Sequence, residues 1–229
     1  MKRFYKSVSV TAENGIMLDA RPVRTPKKAL LTLPTAALAD AVAEEWRAQG
    51  EVIKPETMKL TGLANAAIDV IIADPTGFAT GLALYGESDL LCYRADDPPA
   101  LLARYAAEWE PLLAWTQARY DVTFTRVSGI MHQPQPPETL ARLASAIAGY
   151  PAFALAALSQ IVTISGSLVI ALAFAQGQIA PDAAFDAAHL DELWQAEQWG
   201  EDWMAADARA LRRADFAAAC RFLRLLDNG

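Results

Sequence analysis

Between Asp191 and Trp203 the chain reads DELWQAEQWGEDW, three tryptophans and five carboxylates in thirteen residues. Carboxylates at this density suggest several chemistries. Glu197 and Glu201 stand one helical turn apart and could share general acid/base work, although paired carboxylates on one helix commonly just flank a cation. His189 precedes Glu192 by three residues, which is half of a metal site at most. The plainer reading is a histidine near a helix start with its ring partly packed. With His132 and His189 as its only histidines, the chain cannot build a histidine-rich metal centre. Ser165 and Ser167, in ISGS, lack the G-x-S-x-G elbow of a nucleophilic serine and are expected to satisfy backbone groups at a helix start. Neither a GxxxxGKS/T phosphate loop nor a GxGxxG turn is present. No cofactor is expected.

Placed on one helix from about Pro181 to Gly200, Leu190, Leu193, Trp194 and Glu197 share one side, and Asp191, Gln195, Gln198 and Trp199 the other. Glu197 then stands with the apolar residues and Trp199 with the polar ones. A carboxylate on an apolar face needs a hydrogen bond or a counter-charge, because desolvating it alone costs several kcal/mol. A tryptophan on a polar face offers the rigid apolar area that anchors protein interfaces. Two structural alternatives stand beside that one: Glu197 pairs with a buried arginine such as Arg209 or Arg104, or Trp199 packs under a helix beyond Gly200. On the binding reading, Leu190, Leu193 and Trp194 hold the segment to the core, while Glu192, Glu197, Trp199 and Asp202 meet a partner. The rival reading is a small hydrolase, carboxylate- or metal-dependent, using Glu197, Glu201 and His189.

The elements that must position this segment can be read from patterning. RFYKSVSV alternates polar and apolar residues, Asn14-Gly15 supplies a turn and IMLDA follows, which together predict a hairpin. RPVRTP and ALLTLP form a further extended pair, kept to an edge by their prolines. Thr35 caps a helix running to about Gln49, with Leu38, Val42 and Trp46 on its buried side and Trp46 packed on the sheet. Leu60, Leu63, Ala64, Ala67, Ile68 and Ile71 predict a second helix, ended by Asp74-Pro75. SDLLCYR reads as a short extended piece. Helices are expected at about Pro98–Tyr120, Pro137–Ala148, Pro181–Gln198 and Glu201–Leu226. From Pro151 to Pro181 no residue is charged. Polar residues interrupt that run and no Lys or Arg cluster flanks it, so two buried helices, roughly Ala152–Thr163 and Gly166–Gln176, are expected rather than a membrane span. The fold class is therefore α+β: a small strand-rich α+β domain over residues 1–58, then a larger all-helical domain over 59–229.

Composition narrows the function further. At 229 residues and 53% hydrophobic the chain can bury one large core or two modest ones. Its formal net charge of −7 argues against nucleic acid, which demands a basic face. Cys92 and Cys220 are expected as buried thiols in a reducing compartment, with a single disulfide as the lesser alternative.

In order along the chain, RPVRTP, EWRAQGEVIKPETMKLTGLANAAID, DLLCYRAD, EWEPLLAW and DELWQAEQWGED together resemble the assembly chaperones that bind the alpha subunit of the F-type ATP synthase catalytic head. The resemblance spans nearly the whole chain. It implies a non-enzymatic protein that holds the free alpha subunit and shields the surface where beta subunits later dock. Relatives occur in mitochondria and bacteria. The alanine-rich composition and the absence of a transit-type extension lead us to expect a bacterial cytoplasmic member, monomeric when free and not inserted in the membrane.

Overall fold

Extended segments open the chain, as their alternation requires. The computed structural model describes residues 1–129 and 131–227. Strands β1 (Val8–Val10), β2 (Ile16–Leu18) and β3 (Arg21–Pro22) form an antiparallel sheet in the order β1-β2-β3, with Ser9 opposite Met17 and Leu18 opposite Arg21. The β1–β2 connection spans Thr11 to Gly15, and Asn14 sits in the left-handed region at φ 60°. ALLTLP continues the extended pattern through single bridges, Arg24 to Leu30 and Gly15 to Thr32. Helix α1 (Ala36–Arg47) starts where Thr35 accepts from the Leu38 N–H, and it buries Leu38 and Val42 completely. Trp46 is only half-buried, edge-on to Tyr5 with ring centroids 5.9 Å apart.

Helix α2 (Lys59–Ala66) runs on into a π-helical turn at Ala67–Ile71. Its start has no capping residue of its own. Glu45 of α1 supplies the acceptor instead, taking the Leu60 and Thr61 N–H groups at 2.7 and 2.8 Å. Farther along, Asp69 accepts from Thr25 Oγ1 at 2.5 Å and from the Lys27 N–H at 2.9 Å. These ties group residues 59–75 with the strands, whereas a division at residue 58 would place them with the helices. The chain separates into two units, the first made of Met1–Pro75, Pro151–Ala157 and the stretch from Ala218 onward, the second of Thr76–Tyr150 and Leu158–Ala217. Within the first unit Phe153 stacks over Phe222, and Thr35 Oγ1 donates to the Leu225 carbonyl at 2.8 Å.

The second unit is mostly helical. Helix α3 (Pro75–Ala83), which the patterning did not resolve, leads to a tight turn at Leu90–Cys92 and to strand β4 (Tyr93–Arg94). Strand β4 pairs in parallel with β5 (Val127–Ser128), so this part is not purely helical. The expected helix over Pro98–Tyr120 is two helices, α4 (Pro99–Glu108) and α5 (Glu110–Tyr120). Pro111 causes the break, because it has no N–H for the helical ladder and crowds the preceding turn. Helix α6 (Pro137–Ala148) lies where expected. The uncharged stretch forms α7 (Ala152–Ser165) and α8 (Leu168–Ala175); Leu168 through Ala173 of α8 have no exposed surface. Among the described residues no single helix is long and apolar enough to cross a membrane. Neither Cys92 nor Cys220 is in a disulfide, and both are buried.

A break also divides the expected Pro181–Gln198 helix, into α9 (Pro181–Ala188) and α10 (Leu190–Trp199). It falls at His189, whose ring stacks on Phe185 with centroids 3.9 Å apart. The long helix α11 (Trp203–Asp227) follows.

Candidate functional site

Helix α4 is the support on which α10 rests. Tyr105 on α4 and Trp109, the residue between α4 and α5, lie one turn apart and stack at 4.3 Å. The Trp109 indole donates to the Ala187 carbonyl at 2.8 Å, and the Tyr105 hydroxyl donates to Asp191. One residue earlier, Arg104 makes a two-pronged pair with Glu197, at 3.0 and 2.6 Å, and its guanidinium lies 5.1 Å from the Trp194 ring centre. Two α4 side chains, Tyr105 and Arg104, thus hold α10 near its start, middle and end, while Trp109 holds the last turn of α9. Both Tyr105 and Trp109 are buried, so this register is held by aromatic packing as well as by hydrogen bonds.

Helix α11 is tied back to α10 by charge. Arg209, only 11% exposed, pairs with Glu192 at 3.1 Å and with Glu201. Arg212 takes the other Glu192 oxygen at 2.6 Å. Between the helices, Gly200 adopts φ 91°, a conformation that L side chains avoid. Asp202 then accepts from the Met204 and Ala205 N–H groups at 2.8 and 3.0 Å, capping α11. The joint is rigidly specified, yet it presents apolar surface. Trp199 is 78% exposed, Trp203 73%, and Met204 and Leu211 are exposed as well. Met204 and Leu211, seven residues apart, share one face of α11.

Each residue singled out from sequence can now be placed. Trp199 is exposed, so it does not pack under a later helix. Glu197 is paired with Arg104 and remains accessible. Glu192 and Asp202 serve the joint through Arg209, Arg212 and the α11 cap. Trp194 and Leu193 are half-buried, and only Leu190 on this helix is buried, so the expected core anchorage through Trp194 is corrected. The reason is that α10 leaves the packed interior after its first turn, where Arg104 rather than an apolar neighbour covers the indole. Trp203, Met204 and Leu211 complete the exposed patch and were not singled out. Their only sequence signal is large apolar residues among the charges of α11.

The structure does not gather Glu197, Glu201 and His189 around one point. Glu197 engages Arg104 and Glu201 engages Arg209. His189 is buried, with Nδ1 2.9 Å from the Phe185 carbonyl and Arg212 donating to Nε2 at 3.3 Å. A ring that accepts at Nε2 must carry its proton on Nδ1, which makes it the neutral tautomer. Burial, aided by the nearby arginines Arg212 and Arg213, holds its pKa below the usual histidine value, in keeping with that form. Among the described residues no group of three or more His, Cys, Asp or Glu side chains is placed to hold a metal ion.

Residues 2–117 match the family model for the ATP12 chaperone protein. The chain belongs to the ATP12 chaperone family. The matched residues cover β1–β4, α1–α4 and most of α5 but stop short of β5 and of the α10–α11 joint. Solved structures extend the likeness through it. Atp12 from Paracoccus denitrificans is 40% identical with a TM-score of 0.91, over 98% of this chain and 98% of that one. The Atu1473 protein from Agrobacterium tumefaciens is 43% identical with a TM-score of 0.92, over 98% of this chain and 86% of that one.

Proposed function

We propose that this chaperone serves F-type ATP synthase assembly, binding the free alpha subunit of the catalytic head and shielding its subunit-interface surface until the hexamer forms. It acts without catalysis. Family membership supports the chaperone class, and the five ordered sequence blocks support the alpha subunit as client. The observation that carries the binding surface is the exposed group Trp199, Trp203, Met204 and Leu211, displayed on a joint that five ionic and capping residues hold in place. A monomer gains nothing from leaving two tryptophans so exposed. An unassembled ring subunit, by contrast, exposes interface that aggregates unless covered. Exposed carboxylates, Glu197 and Asp202, stand close by in sequence, and such a mixed apolar and charged surface suits a partner that the incoming subunit must later displace.

Titration of isolated alpha subunit into the wild type and into Trp199→Ala tests this directly. The substitution should cost about 2 kcal/mol of binding, roughly a 30-fold weaker Kd. Thermal stability should change little, because the side chain is exposed. An unchanged affinity would remove Trp199 from the interface, and no binding by the wild type would remove the client.

A further inference from the structure

Beside the exposed patch, and sharing Trp199 with it, the second unit contains a groove of about 420 Å³ between β4, the start of α4 and α10. Its walls are aromatic: Tyr93 and Tyr105 on one side, Trp194 and Trp199 on the other. Two carboxylates line it, Asp97 and Asp191. Among the described residues neither is paired with a cation, Asp191 being engaged by the Tyr105 hydroxyl alone. The groove's own cation, Arg94, is directed elsewhere. Its Nη1 pairs with Glu110 at 2.5 Å and its Nη2 reaches the Leu91 carbonyl, while Glu110 also takes Arg126. The buried Nε–H of Arg94 has no acceptor, so the groove wall holds one donor without a partner.

Aromatic faces with carboxylates between them suit a flat, delocalised cation, because a guanidinium stacks on a ring while its N–H groups meet carboxylate oxygens. The groove wall already does this once: Arg104 lies against Trp194 while pairing with Glu197. The geometry points to a docking groove for an arginine side chain carried on an extended segment of the alpha subunit, with Asp97 and Asp191 as its counter-charges. This rests on the proposed client. Trp199 lines both the groove and the exposed patch, so one bound segment can span the two. The patch supplies apolar area, whereas the groove supplies selection, since a neutral side chain entering it leaves both carboxylates without a counter-charge.

The test uses the full chain and two probes, N-acetyl-arginine methylamide and its neutral isostere N-acetyl-citrulline methylamide, followed through the tryptophan indole N–H resonances. The arginine probe should shift Trp194 and Trp199 saturably, and the citrulline probe should bind at least about tenfold more weakly, the loss of a charge-assisted contact. Asp97→Asn, at an exposed position, should weaken the arginine response without changing the melting temperature; Asp191→Asn, which also alters the Tyr105 contact, is the second variant. Equal shifts from both probes, or wild-type titrations in both variants, would overturn the groove. Against isolated alpha subunit, Asp97→Asn should bind about tenfold more weakly than wild type. If the probe response is lost in the variant while alpha-subunit affinity is retained, the groove does not hold the client, and the chaperone reading survives. If wild type responds to arginine but not to alpha subunit, it is the client that fails.

Discussion

Two helix–turn–helix joints in the second unit are built to the same local rule and reach opposite ends. Each has a glycine in the left-handed region, Gly166 at φ 66° and Gly200 at φ 91°, and each starts its next helix on a side-chain cap, Ser167 for α8 and Asp202 for α11. At the first joint the capping side chains are buried. Ser167 donates to Asp89 at 2.7 Å, and Asp89 also accepts the Val169 and Leu91 N–H groups at 2.9 and 3.1 Å, with neither side chain exposed. At the second joint the cap faces water and two tryptophans stand free. The difference shows that capping determines where a helix starts, while the flanking side chains determine whether its apolar surface goes into the fold or is left for a partner.

Substituting the caps should break the likeness most visibly. Asp89→Ala strips the acceptor from three buried donors and should cost on the order of 3 kcal/mol, seen as a large drop in melting temperature. A cost no larger than that of the exposed cap would mean the two joints are energetically alike.

The pH dependence should separate the joints next. Burial pushes the Asp89 carboxyl up to about 6 despite its hydrogen bonds. A carboxyl whose folded pKa lies above its unfolded value binds the proton more tightly when native, so its contribution to stability is present at low pH and lost as pH rises through about 6. Between pH 7 and pH 4 the wild type should therefore gain on Asp89→Asn by about 2 kcal/mol, most of what a shift of about two pKa units can give. Comparing the two proteins cancels His189, whose lowered pKa acts in the opposite sense over the same range. Denaturant unfolding at several pH values would measure the gain; a loss would reverse the assignment.

The smallest effect should come from Asp202→Ala, about 1 kcal/mol of stability for an exposed N-cap. Calorimetry would read it, and a cost matching Asp89→Ala would show that the α10–α11 joint is part of the core.

Local signals made much of this legible. The hairpin, the Thr35 cap and the split of the uncharged stretch into two buried helices follow from alternation, a capping residue and polar interruption, all of which act within a few residues. Of the ISGS serines, Ser167 caps α8 as expected, whereas Ser165 ends α7 and accepts from the Ser167 N–H at 3.2 Å. Two helix breaks were missed, because periodicity continues across Pro111 and His189 and gives no weight to a lost N–H or to a ring that turns back on its own helix.

The site divides along the same line. Sequence alone determined that DELWQAEQWGEDW is a helix and its end, that a tryptophan and a glutamate fall on unexpected faces, and that the ordered blocks resemble a chaperone family. Only the tertiary structure decided that Arg104, 93 residues away, answers Glu197, that Trp194 is half-covered rather than core, and that Trp203, Met204 and Leu211 join Trp199 in the open. Helical periodicity assigns each side chain to a face. Which face meets solvent depends on what other segments pack against it, and those partners are brought near only when the chain folds.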